Sequence, residues 1–122
     1  DAARGILESG GVFAIYPEGT RTRDGFLHKG HTGVARLALD TPCSVIPVGL
    51  IGTENVQDVD EKLPRIGKKI KINFGKPIDI EKYKSSSNSK LVLRNLTDEI
   101  MYEIHSLSKY GYIDSYVSTI PK

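Results

Sequence analysis

Between positions 18 and 31 the chain gathers groups suited to gripping an anion. Glu18-Gly19-Thr20-Arg21-Thr22-Arg23 places two guanidiniums and two hydroxyls within six residues, and Lys29 and His31 follow closely. A guanidinium offers forked donors that match phosphate or carboxylate two bonds at a time. Gly19 can take backbone angles closed to other residues and lets a ligand approach the main chain. Glu18 suits either a ligand hydroxyl or an arginine that needs holding in place. A solvated turn carrying an Arg–carboxylate pair would have the same composition, and such a pair contributes little to stability. Composition alone leaves these two readings level.

The elements around the loop have to position it. Val12-Phe13-Ala14-Ile15-Tyr16 is short, continuously apolar and rich in residues that suit a pleated surface, so it reads as a strand buried on both faces. Pro17 has no N–H to donate and must end that ladder, which makes residues 18–23 a strand-exit loop. In an open α/β sheet, ligands bind in the crevice beyond the carboxyl ends of the strands. Val34, Leu37 and Ala38 then recur at helical spacing, and residues 32–40 read as a crossover helix closed by Asp40-Thr41-Pro42. The first turn of this helix would direct N–H groups and the positive end of its dipole towards the loop. Residues 44–51 form the expected second strand, parallel to the first, with Pro47 placing its useful end near Val48. Gly52 and Thr53 would then line the same crevice as Thr20.

Tyr16-Pro17-Glu18-Gly19-Thr20-Arg21 closely resembles the Phe-Pro-Glu-Gly-Thr-Arg signature of the 1-acylglycerol-3-phosphate acyltransferases, or lysophosphatidate acyltransferases, of the glycerolipid acyltransferase superfamily. Val45-Ile46-Pro47-Val48-Gly49-Leu50 is similar to that family's later Ile-Val-Pro-Val element, and the resemblance extends over roughly residues 1–80. It implies an acyl group moving from acyl-CoA or acyl carrier protein to the free hydroxyl of lysophosphatidate, giving phosphatidate, with these thioesters as co-substrates and no further cofactor. It also implies that Glu18, Gly19, Thr20 and Arg21 hold the glycerol phosphate, with Arg21 foremost, and that Pro47 and Val48 shape the crevice wall. Arg23, Lys29 and His31 are supporting candidates from charge and position.

The family's catalytic His, followed five residues later by Asp, is not in this chain: Gly33, Arg36 and Tyr110 stand at that distance from His28, His31 and His105. The resemblance therefore implies the C-terminal part of an acyltransferase domain, whose general base and orienting carboxylate lie upstream. The expected organisation is an α/β part over residues 1–84, a C-terminal helix over 88–109 and a tail over 110–122, with a mixed, mostly parallel sheet flanked by helices. A sheet lacking its leading strands should expose apolar edges or faces, so the isolated segment is expected to self-associate. The implied location is the cytoplasmic face of the cell membrane, peripheral or anchored by an N-terminal part.

Composition narrows the alternatives. A formal net charge of +2 gives no argument for nucleic acid, and no apolar run is long enough to cross a bilayer. The single cysteine, Cys43, excludes an internal disulfide and reads as an inert small hydrophobe. No Cys/His cluster has metal-ligand spacing. Gly25-Phe26-Leu27-His28-Lys29-Gly30-His31-Thr32 has the glycine spacing of a nucleotide P-loop, but His31 stands where that motif requires lysine.

Further along, residues 54–67 read as a loop. Lys68-Lys69-Ile70-Lys71-Ile72-Asn73-Phe74 alternates as a half-buried strand with Ile70, Ile72 and Phe74 inward. Eight lysines and arginines between Lys62 and Lys84 predict a basic surface. That surface supports a rival reading, a non-catalytic module for anionic lipid or an acidic partner, while a solubilising strand face explains it equally well. Within the enzyme class, glycerol 3-phosphate or another lysolipid is an alternative acceptor. Residues 85–89 read as a linker whose last residues cap a helix from about 90 to 109, with Leu93, Leu96, Ile100, Ile104 and Leu107 on one face. Tyr112 and Tyr116 lie in a tail expected to be loosely ordered.

Overall fold

The computed structural model describes residues 2–20, 25–53, 63, 67, 69–84 and 89–117. The architecture is α/β. In chain order the elements are α1 (Ala2–Glu8), β1 (Leu27–His28), α2 (Gly33–Asp40), β2 (Val48–Ile51), β3 (Lys71–Phe74), α3 (Glu81–Lys84), α4 (Lys90–Ser108) and β4 (Tyr112–Ile113). The strands form two pairs: β1 lies parallel to β4, and β2 antiparallel to β3.

The core lies between α2 and α4. Val34, Ala35 and Ala38 of α2 meet Leu93, Leu96 and Ile100 of α4, and Ile78 and Ile80 close the cluster from the segment before α3. Burying such side chains contributes about 1.5–3 kcal/mol for each of the larger ones. The helical stripe on α4 is the one its period predicts, and Ser89 caps it by accepting from the Val92 N–H at 3.3 Å. At the other end Lys109 turns left-handed, with φ 63°, and its N–H donates to His105 O at 2.8 Å. The chain leaves the helix there and doubles back into β4.

Four expectations change. Residues 12–16 are not a strand: all five are exposed, Val12 at 93% and Tyr16 at 74%. Apolar content cannot make a strand without a partner, and none of the described strands pairs with this run. The parallel pair is therefore not 12–16 with 44–51 but β1 with β4, residues far apart in sequence. Pro47 does not end the second strand but precedes it. Lacking an N–H, it cannot sit inside the ladder, yet its carbonyl accepts from the Gly75 N–H at 2.9 Å and so starts the pairing.

The third strand turns the opposite face inward. Ile72 is 54% exposed and Phe74 73%, while Asn73 is half-buried and donates from Nδ2 to Leu107 O at 2.7 Å. Its register partner Gly49 is buried against the end of α4, where a Cβ would lie 2.6 Å from the backbone of Leu107 and Ser108. Alternation decides which residues share a face. Which face meets the core is decided here by a glycine that allows close approach and an amide that satisfies a helix-end carbonyl.

The tail, expected to be loosely ordered, is tied down as far as Tyr116 through β4 and the contacts of Ser115 and Tyr116. The predicted loop over 54–67 lies outside the described residues except for Leu63 and Gly67, and of the predicted linker only Ser89 lies within them.

Candidate functional site

The turn at residues 16–19 is built locally. The Gly19 N–H donates to Tyr16 O at 3.0 Å, and Gly19 holds φ +80°, a backbone region that suits glycine. A Cβ at Gly19 would stand 3.2 Å from the His31 ring, so the turn and the start of α2 are in direct contact. Two further bonds join them: His31 N–H donates to Pro17 O at 2.8 Å, and His28 N–H donates to Glu18 Oε2 at 2.9 Å. One oxygen of Glu18 thus holds the strand that follows the loop.

The C-terminal tail clasps this assembly. Leu27 and His28 pair with Tyr112 and Ile113, and the Lys29 N–H donates to Ser115 O at 2.9 Å. His28 is buried, with Nδ1 3.3 Å from Ser115 O, which makes that nitrogen the donor. His31 stacks on Tyr116 with ring centroids 4.6 Å apart and planes 11° from parallel. The Lys29 ammonium stands 5.4 Å from the same ring's centroid.

Arg94 of α4 binds the layers together. Its Nη2 donates to Gly30 O at 2.7 Å and to Asp98 Oδ1 at 2.6 Å, and its Nη1 donates to the Tyr116 hydroxyl at 3.2 Å. This guanidinium is committed to the scaffold. Sequence reading missed Arg94, Ser115 and Tyr116, because each acts through a partner distant along the chain.

Of the predicted site residues, Glu18, Gly19, Lys29 and His31 come together in this one region, with Thr20 exposed directly after Gly19. Arg21 and Arg23 lie outside the described residues. Pro47 is buried and Val48 half-buried at the head of β2, where the bond from Gly75 places Pro47 against the start of the next segment rather than against the turn. The Gly52 N–H donates to the Tyr110 hydroxyl at 2.8 Å, which draws the end of β2 towards the exit of α4 rather than towards Thr20.

Thr32 at the head of α2 makes no side-chain cap, so the first-turn N–H groups next to His31 receive no bond from it. His31 and the start of α2 thus lie beside the turn, with the Lys29 ammonium near the Tyr116 ring that stacks on His31.

The basic surface expected between Lys62 and Lys84 is partly self-neutralised. Lys82 pairs with Glu99 at 2.8 Å and Lys84 with Glu81 at 3.2 Å, while Lys69, Lys71 and Lys76 are exposed. Lys62, Arg65 and Lys68 lie outside the described residues. Among the described residues no helix is long and apolar enough to cross a membrane, and no cluster of acidic, His or Cys side chains is arranged to hold a metal ion.

No curated protein and no solved structure matches the chain. The sequence model of the family described as Acyltransferase matches residues 1–51, a span that contains the turn, β1, α2 and the head of β2. That match supports placing the segment in the glycerolipid acyltransferase superfamily and supports a general acyltransferase role.

Proposed function

We propose that the chain is part of a 1-acylglycerol-3-phosphate acyltransferase and supplies its phosphate-binding part. The observation that carries the reading is the signature turn at residues 16–19, packed against His31 and the uncapped start of α2 within the span matched by the acyltransferase family model. In this reading the phosphomonoester of lysophosphatidate sits on Thr20, Arg21 and the first N–H groups of α2, with Lys29 adding positive charge. Glu18 keeps the turn fixed to β1. The acyl group arrives as a thioester of coenzyme A or acyl carrier protein, at the cytoplasmic face of the membrane that holds the lipid acceptor.

The chemical step needs a general base on the acceptor hydroxyl. The His-x4-Asp pair that would supply it is absent from these 122 residues, so the base acts from sequence beyond them. Holding the phosphate fixes the hydroxyl relative to that base, and this positioning is the segment's part in catalysis.

The test is acyl transfer to lysophosphatidate by the complete gene product, with these residues alone run alongside. In the complete enzyme Arg21→Ala should raise the KM for lysophosphatidate by roughly ten- to a hundredfold, as expected for a lost charge-assisted hydrogen bond, and leave the donor KM nearly unchanged. Equal effects on both substrates would contradict the assignment, and undiminished transfer would refute it.

A further inference from the structure

We propose that the crevice between α4 and β4 binds a small organic ammonium ion. It encloses about 330 Å³ and is lined by Asp98, Tyr102, His105, Tyr112 and Asp114. That volume is at the small end of ligand cavities and suits a compact molecule. The site is separate from the phosphate reading and stands or falls independently of it.

The lining selects charge type. Asp98 and Asp114 present carboxylates. His105 donates from Nδ1 to Tyr110 O, which leaves Nε2 for a second hydrogen bond. The Tyr112 hydroxyl oxygen is buried and has no hydrogen-bond partner. Asp98 already accepts from Arg94, whereas Asp114 makes no ion pair among the described residues. Burial is the main reason the Tyr112 phenol is pushed up, and the carboxylates of Asp98, Asp114 and Glu18 act in the same direction against the single guanidinium of Arg94. With Asp98 paired to Arg94, the Asp114 carboxylate leaves the lining net negative, which disfavours an anion.

A bare metal ion fits no better, because the acidic and imidazole groups do not converge as a ligand cluster among the described residues. What remains is a cation with an apolar body. Tyr102 and His105 supply two ring walls, their centroids 6.3 Å apart and planes 54° from parallel, and Tyr112 adds a third aromatic side chain. Rings with a nearby carboxylate recognise alkylammonium groups by cation–π attraction together with charge pairing.

Choline, added to the full chain and followed by proton NMR of its methyl groups, is the direct probe. Saturable binding with upfield-shifted methyl resonances is expected. Tyr102→Ala and Asp114→Asn, both at exposed positions, should each weaken it roughly tenfold without changing the melting temperature. The neutral isostere 3,3-dimethylbutan-1-ol should not bind. A parallel titration with monomeric dihexanoylphosphatidylcholine distinguishes a free amine from a lipid head group: binding of either supports the site, and tighter binding of one names the source. Absence of saturable binding by both, equal binding of the neutral isostere, or binding that survives both substitutions overturns the proposal.

Discussion

The imidazole of His31 lies flat on the phenol of Tyr116, at 4.6 Å between centroids, so a residue of the signature region is positioned by a residue of the C-terminal tail. An aromatic pair of this kind contributes about 0.5–1.5 kcal/mol beyond its buried area. Tyr116→Ala should therefore lower the melting temperature only slightly. It should shift the ring resonances of His31 and increase amide exchange at Lys29, whose N–H donates to Ser115 O. Tyr116→Phe keeps the stack and loses only the Arg94 bond, so it should restore the His31 resonances.

Gly19→Ala tests the turn. At φ +80° a side chain is strained by roughly 1–3 kcal/mol, and the new methyl would press on His31 at 3.2 Å. The expected result is a displaced His31 ring in NMR spectra and, in the complete enzyme, a higher acceptor KM. Unchanged His31 resonances would show that the turn and the ring are not in contact.

Gly49→Ala tests how α4 rests on the sheet. The added methyl would meet backbone atoms of Leu107 and Ser108 at 2.6 Å, and backbone cannot rotate away as a side chain can. Overpacking of this kind costs about 1–3 kcal/mol, measurable as a lower midpoint in urea. A midpoint equal to that of the parent chain would contradict the close approach.

Glu99 gives stability a pH dependence. Burial alone would raise its carboxyl, but the hydrogen bonds from Lys82 and Tyr83 outweigh burial and hold it below its ordinary value of 4.5. A carboxylate held down in the folded state stabilises it above the unfolded pKa, and that stability is lost as pH falls from about 4.5 through the folded value. Glu99→Gln should flatten the acid limb of melting temperature against pH. Tyr83 behaves in the opposite sense: burial first, then its 2.5 Å bond to Glu99, pushes its hydroxyl up from 10.0 to about 12. Its contribution is complete below pH 10 and fades as pH rises towards 12, so ultraviolet titration should show a late-ionising fraction, to which Tyr112 also contributes, that shrinks in Tyr83→Phe.

The outward face of the β2–β3 pair carries Ile72 and Phe74 in register with Leu50 and Val48. With Ile72 54% and Phe74 73% exposed, this face should drive concentration-dependent association of the isolated chain. Sedimentation velocity should show it, and Ile72→Lys with Phe74→Lys should reduce it while leaving the unfolding free energy within about 1 kcal/mol of the parent. A monodisperse monomer for the parent chain would refute the expectation.

These elements also show which features could be read from the sequence. The periodicity of α2 and α4, the Ser89 cap and the grouping of Glu18, Gly19, Lys29 and His31 were legible, because helix signals and short loops are local. The strands were not, since a strand is defined by its partner. Residues 12–16 have the right composition and no described partner, whereas Leu27–His28, with a histidine in it, pairs across most of the chain with Tyr112–Ile113. The inward turn of Asn73 was hidden for the same reason: its amide answers a carbonyl on α4 that no window around the strand contains.

The β1–β4 pairing sets an order of events in folding. The α2–α4 core requires only the chain up to the end of α4, and the helices can dock before the last residues are in place. The brace on Lys29 and His31 needs Ser115 and Tyr116, which leave the ribosome later still. Contacts of such wide sequence separation form slowly, because the loop they close must first lose its freedom. The turn at residues 16–19 is therefore braced after the helical core can form, and a nascent chain halted before Tyr112 would hold docked helices with its signature turn still unbraced.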